Sequence, residues 1–191
     1  MPKFIMSAML LVILTSCTEG NRPQTEVSPA ATPITKSSAQ EAQQKAVATL
    51  QPTAGNKAAG TIAFTQAGDS TSIKVDVTGL APGKHGFHVH EKGDCSSKDA
   101  KSAGDHFNPT KQPHAAPTAA KRHVGDLGNL TADSTGKATT QLQDSALRLS
   151  GEQSIIGRAV IIHAKADDLK SQPSGDAGGR LACGVIKATN S

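Results

Sequence analysis

Lys84-His85-Gly86-Phe87-His88-Val89-His90 is the stretch on which the reading of this chain turns. Alternate residues of a strand share a face. His88 and His90 therefore point one way, with Gly86 leaving room beside them, while His85, Phe87 and Val89 point the other. Two imidazoles on one face can converge on a single metal ion, histidine being the commonest metal ligand. His85 shares the apolar face and reads as a buried histidine satisfied by hydrogen bonds, not as a ligand. Downstream come Gly104-Asp105-His106-Phe107-Asn108-Pro109, then His114, then Arg122-His123-Val124-Gly125-Asp126. Six of the seven histidines thus fall between Lys84 and Asp126, and the seventh, His163, lies on a later strand-like run.

Outward from this stretch, short runs at 47–51, 60–66, 71–78, 84–90, around 129–132, 138–142, 158–164 and 183–187 read as strands. The clearest alternates Ile73, Val75 and Val77 with Lys74, Asp76 and Thr78, a strand with one face in water. Asp69-Ser70, Gly79-Leu80-Ala81-Pro82-Gly83 and Asp133-Ser134-Thr135-Gly136 supply turns. Many short strands without a long amphipathic helix predict an all-β sandwich or barrel. Two connections, 91–122 and 164–179, are long and irregular, as functional loops are, and they contain or border the candidate ligands.

His106, His114, His123 and Asp126 make three imidazoles and one carboxylate, a set suited to tetrahedral Zn²⁺ in a closed, structural site. His88, His90 and His163 remain for a second ion, and nitrogen ligation of tetragonal type favours Cu²⁺. Two four-coordinate sites need more donors than these seven groups provide singly. Either one histidine serves both ions through its two ring nitrogens, or water completes a site. Spacing leaves both open.

Composition narrows the class. Hydrophobic residues are 36% and charged residues 19%, as in a soluble globular domain. Aromatics are 2%, with no Trp or Tyr, so the core must come from Ile, Val, Leu and Ala. The net charge of +4 is carried by dispersed lysines with no basic, aromatic-interleaved run, which argues against a nucleic-acid partner. A mildly positive surface favours approach of a small anion. Residues 1–16 read as an export signal, a lysine followed by an apolar run too short to span a bilayer. Leu14-Thr15-Ser16-Cys17 resembles a bacterial lipoprotein box, which makes Cys17 the expected lipidation site and membrane attachment. Residues 17–45 then form a polar tether with a reach of roughly 30 Å, and the folded domain occupies 46–191. With Cys17 set aside, Cys95 and Cys183 are an even pair in an exported protein and are expected to be disulfide-bonded.

Across 47–188 the chain resembles the copper/zinc superoxide dismutases. The resemblance rests on Gly86-Phe87-His88-Val89-His90, His106-Phe107-Asn108-Pro109, Arg122-His123-Val124-Gly125-Asp126-Leu127-Gly128-Asn129, Ser154-Ile155-Ile156-Gly157-Arg158 and Gly179-Arg180-Leu181-Ala182-Cys183-Gly184. It implies an eight-stranded Greek-key β-barrel, a flattened sandwich with two long functional loops. It implies copper on His88, His90, His106 and His163, and zinc on His106, His114, His123 and Asp126, with His106 the shared ring. Arg180 resembles the arginine that docks the anion beside copper, and Asp167 the aspartate that accepts hydrogen bonds from one ligand of each metal, here His88 and His114. The implied activity is conversion of superoxide to dioxygen and hydrogen peroxide through alternate reduction and reoxidation of copper, with His106 passing a proton and zinc structural.

The chain also departs from that pattern. Asp105 stands before the shared histidine, where proline or glycine is expected. Cys95 lies farther ahead of His106 than in the animal enzymes, and 163–180 is shorter and lacks their acidic cluster. A homodimer is expected without its interface being fixed. The rival readings are a metal-holding envelope lipoprotein on the same scaffold, without turnover, and a zinc-stabilised adhesion module.

Overall fold

The computed structural model describes residues 43–189. The expected export signal, the lipidation site Cys17 and the tether up to residue 42 lie outside the described residues. Eight strands are present: β1 Gln44–Pro52, β2 Ala59–Ala67, β3 Ser70–Thr78, β4 Gly83–His90, β5 Asp126–Ala132, β6 Ala138–Asp144, β7 Ala159–His163 and β8 Arg180–Thr189. One 3-10 turn, Lys101–Ala103, interrupts the first long loop. Among the described residues no helix is long and apolar enough to cross a membrane.

The strands pair antiparallel in the order β5-β4-β7-β8-β1-β2-β3-β6. β5 and β6 stand at the two ends of that order yet are joined by a short turn, where the Gly136 N–H donates to the Asp133 carbonyl (3.0 Å) and Leu80 N–H to that of Gly136 (3.1 Å). The sheet therefore rolls into a nearly closed barrel. The links from β3 to β4 and from β6 to β7 each pass over two intervening strands, which is Greek-key connectivity.

The alternation expected for 71–78 holds: Ile73, Val75 and Val77 are buried and Lys74, Asp76 and Thr78 exposed. One core of Ile, Val, Leu and Ala with Phe64, Phe87 and Phe107 fills the barrel. A smaller cluster of Ala100, Ala103, Ala159, Ile161 and Cys183 packs outside it under the first loop. The Cys95–Cys183 disulfide is formed, with the two Cα atoms 5.8 Å apart. It closes a sequence separation of 88 residues, for which chain entropy suggests roughly 4–5 kcal/mol.

Strand ends run farther than composition indicates. Gln44 and Lys45, polar and grouped with the tether by sequence, already pair with Gln66 and Thr65 of β2. β5 begins at Asp126, opposite His88 across a bulge in β4, and β8 begins at Arg180, opposite His163. Backbone partners, not side-chain polarity, set these limits.

Candidate metal centre

β4 delivers His88 and His90 side by side, both buried, from the strand parity expected of them. Gly86 makes the space: a Cβ there would sit 2.8 Å from the Ala177 Cβ and 3.2 Å from the His88 ring. β7 brings His163 alongside, through pairs such as Phe87 with Ile162. A ring of backbone hydrogen bonds draws in the first loop. Phe107 N–H donates to the Val89 carbonyl (2.8 Å), Val89 N–H to that of Gly125 (2.9 Å), and Gly125 N–H to that of Phe107 (2.9 Å). His106 is thereby held against His90, and His123 and Asp126 against His106.

Two ligand groups result: His88, His90, His106 and His163, and His106, His114, His123 and Asp126, all buried, with donor atoms within 4.8 Å of one another. Ring orientation says which nitrogen is free. His90 Nδ1 lies 2.8 Å from the Gly104 carbonyl and His163 Nδ1 3.2 Å from that of Gly178, which leaves their Nε2 atoms facing each other at 3.4 Å. His88 Nε2 donates to Asp167 (2.8 Å), so its Nδ1 is turned inward. His88 Nδ1, His106 Nε2 and, in the second group, His114 Nδ1 are buried without a hydrogen-bond partner. Orphaned nitrogens of this kind are costly unless something else binds them.

The second group gathers on one oxygen. Asp126 Oδ1 lies 2.8 Å from His106 Nδ1, 3.0 Å from His114 Nδ1 and 3.1 Å from His123 Nδ1, and the His123 and His106 Nδ1 atoms are 3.5 Å apart. Four donors about 2.0–2.1 Å from a tetrahedral Zn²⁺ stand about 3.3–3.4 Å from one another, so the donors already approximate that cage.

Electrostatics separate the groups. Burial pulls His88 down to about 4 and His163 to about 3, and lowers His90 well below its ordinary value. Burial also lowers His106, against the opposing pull of Asp126. For His114, burial acts downward but the carboxylates of Asp126 and Asp167 beside its two nitrogens outweigh it and raise the ring to about 9. Burial favours a neutral Asp126 too, yet the three histidines hold it far below the usual carboxylate range.

Asp167 accepts from His88 and, at 3.0 Å, from His114 Nε2. One carboxylate thus orients a ring of each group. His85 is not a member of either group; its ring nitrogens lie 2.8 Å from the carbonyls of His163 and Ala81. Arg180 donates from Nη1 to the Ala100 carbonyl and from Nη2 to that of Gly104, both at 2.6 Å. It borders a cavity of about 380 Å³ whose floor includes His90, His106 and His163.

Several side chains support the site through contacts that their place in the sequence does not show. The Asn129 side chain clamps the Asp167 backbone, its Oδ1 accepting from the Asp167 N–H (2.7 Å) and its Nδ2 donating to the Asp167 carbonyl (2.9 Å). Buried Arg122 donates to the carbonyls of His123, Val124 and Asp126 and to the Asp144 carboxylate. Gly175, at φ +67°, lies over the Asp167–His114 contact, where a Cβ would overlap the Asp167 carboxylate. The sequence hints at that position only through a glycine in a long loop, a residue free to take a positive φ; for the rest the partners are distant in sequence.

Fold and donors define an all-β protein with two adjoining metal-ligand groups that share one histidine ring. The sequence pattern of the copper/zinc superoxide dismutases (SODC) matches residues 58–186, and the chain belongs to that family. It is 50% identical over 133 residues to the extracellular Cu-Zn superoxide dismutase of Caenorhabditis elegans, an alignment covering 66% of this chain and 60% of that protein. The chain therefore matches about three fifths of the length of that curated relative. The crystal structure of the clock protein EA4 is similar with a TM-score of 0.69 and 45% identity, over 75% of this chain and 93% of that one.

Proposed function

We propose that this protein is a superoxide dismutase, converting two superoxide anions and two protons to dioxygen and hydrogen peroxide. The observation that carries the reading is His106. Its Nε2 belongs to a nitrogen-only group opening on the Arg180 cavity, and its Nδ1 to a closed group built on a carboxylate. Copper would be held by His88, His90, His106 and His163, and zinc by His106, His114, His123 and Asp126. When bound, copper supplies the one-electron acceptor and donor, and zinc a fixed positive charge.

The chain supplies the remainder. Arg180, anchored by two loop carbonyls, presents its other N–H groups to the cavity, where they dock and orient a small anion. His106 Nε2 holds and releases one of the two protons. Asp167 fixes the tautomer and direction of His88 and His114. Protein loaded with zinc alone should show no superoxide removal, and protein loaded with zinc and copper should remove it well above the rate of the same free copper. Equal rates for free copper and the loaded protein would overturn the reading.

The protein is exported on this reading, as the extracellular relative supports, and is held to a membrane by lipid on Cys17. Mass spectrometry of the amino-terminal peptide should show the acyl mass, absent from Cys17→Ala. A homodimer would cover the groove lined by half-exposed Val47 and Val185 beside the disulfide. Sedimentation should return twice the chain mass, and Val185→Glu a single one.

A further inference from the structure

Asp105 is the residue the family pattern does not account for, and it stands at the mouth of the Arg180 cavity. It lines that cavity with Glu91, His90, His106, His163 and Arg180. The charged side chains of the lining are thus one guanidinium and two carboxylates. These two carboxylates are not equivalent. Glu91 is packed against Gly104, whose carbonyl anchors Arg180, and Lys92 Nζ lies 3.8 Å from its Oε1. The Asp105 side chain is exposed, and among the described residues it makes no hydrogen bond or ion pair. Its charge acts on Arg180 across the cavity mouth, and of the two carboxylates that do so, Asp105 and Asp99, it is the stronger.

Such a charge cannot assist docking of an anion. Its cost, however, is proportional to the charge on the anion that docks. A monoanion meets the repulsion once and a dianion twice, so the carboxylate lowers all anion affinities and penalises the dianion twice as much in free energy. Arg180 alone would prefer the dianion, because attraction scales with charge in the same way. Opposing charges at one mouth reduce that preference and leave size and shape to decide.

We propose that Asp105 is a specificity-determining residue that reserves the Arg180 dock for small monoanions such as superoxide and turns away dianions of the phosphate and sulfate type. This rests on Arg180 being the anion dock.

The test uses perchlorate and sulfate, tetrahedral oxyanions that differ mainly in charge. The reduced, copper- and zinc-loaded protein is diamagnetic, so binding can be followed in every variant at the backbone N–H resonances of Ser174 and Gly178, which line the same cavity, at constant pH and low ionic strength. Asp105→Asn should tighten perchlorate about threefold and sulfate about tenfold, the second factor being close to the square of the first. Asp105→Glu should keep both affinities near those of the unaltered protein. The rate constant for superoxide capture in Asp105→Asn should rise by the perchlorate factor, and added salt should close the gap. Equal gains for both anions, or none, while Arg180→Gln abolishes both, would overturn the filter and leave the dock standing. If Arg180→Gln binds both anions as before, the dock is elsewhere and the filter falls with it.

Discussion

The two ligand groups share His106 but are built from different parts of the chain. His88, His90 and His163 come from β4 and β7, paired neighbours in the barrel wall. His114 and His123 come from the long irregular connection, and Asp126 from the first residue of the strand that ends it. The strand-borne set holds only nitrogens and puts His90 and His163 on the Arg180 cavity; the loop-borne set gathers on a carboxylate and, besides the shared His106, shows that cavity only His123. The difference teaches that a barrel wall can present a rigid, half-open donor set by parity alone. A loop needs a charged centre to gather its donors, and it carries their proton until a metal replaces it.

Removing a strand-borne ligand should separate the groups most sharply. His163→Ala is expected to abolish copper binding and superoxide removal while zinc stays at one per chain, as metal analysis would read. Loss of both metals would mean that the loop set depends on the strand set. Asp126→Asn does the converse. It removes the negative charge on which three imidazoles gather and turns an NH2 toward one set of donors, and should cost about 3–5 kcal/mol in denaturant unfolding, with zinc lost and copper retained.

Asp167→Asn attacks the link between the two. One donor of the His88–Asp167–His114 chain loses its acceptor, and a fall of about 10–100-fold in metal affinity follows. Competition with a chelator should find both metals weakened; an effect on one alone would show that the shared carboxylate does not couple them.

The pH dependence sharpens the same contrast. His114 is raised to about 9 in the metal-free protein, so near pH 7 it carries a proton that zinc must displace. Zinc affinity should therefore fall as pH drops below 9, with close to one proton released per zinc near neutrality. Calorimetry in buffers of differing protonation enthalpy would count it. His88 and His163 sit at about 4 and about 3, so they are neutral throughout and add no release of their own.

The smallest expected effect concerns the Arg180 anchor. Ser97 and Ser102 bond reciprocally, N–H to Oγ at 3.2 and 2.9 Å, and Ser102 Oγ donates to the Asp94 carbonyl. They hold the turn that presents the Ala100 and Gly104 carbonyls. Ser102→Ala should cost about 1 kcal/mol of stability and raise KM a few-fold with kcat little changed in steady-state assays. A fall in kcat alone would place the serine pair elsewhere in the mechanism.

Much of this was legible before folding. Eight strand-like runs correspond to the eight strands: a period of two marks the half-buried β3, whereas β7 shows as a short continuous apolar run buried on both faces. The side of β4 that carries His88 and His90 follows from the same parity, as does the placing of His85 on the other face. The contacts of Asn129, Arg122, Gly175 and the Ser97–Ser102 pair were not legible, although Arg122 and Asn129 stand in a motif that carries the family resemblance. Each acts through a partner brought near by the barrel: Asn129 reaches Asp167 across 38 positions and Arg122 reaches Asp144 across 22.

Residue type and local spacing by themselves determined an all-β chain, seven metal-ligand candidates and a cysteine pair. These depend on side-chain chemistry and on a strand repeat of two, both local properties. Spacing left open which ring stands between the two donor sets, and the family resemblance alone pointed to His106; which nitrogen each histidine offers, and that Asp105 faces the cavity of Arg180, were decided only by tertiary structure. Those depend on directions in space, set by strand pairing and by backbone hydrogen bonds between segments far apart in the chain.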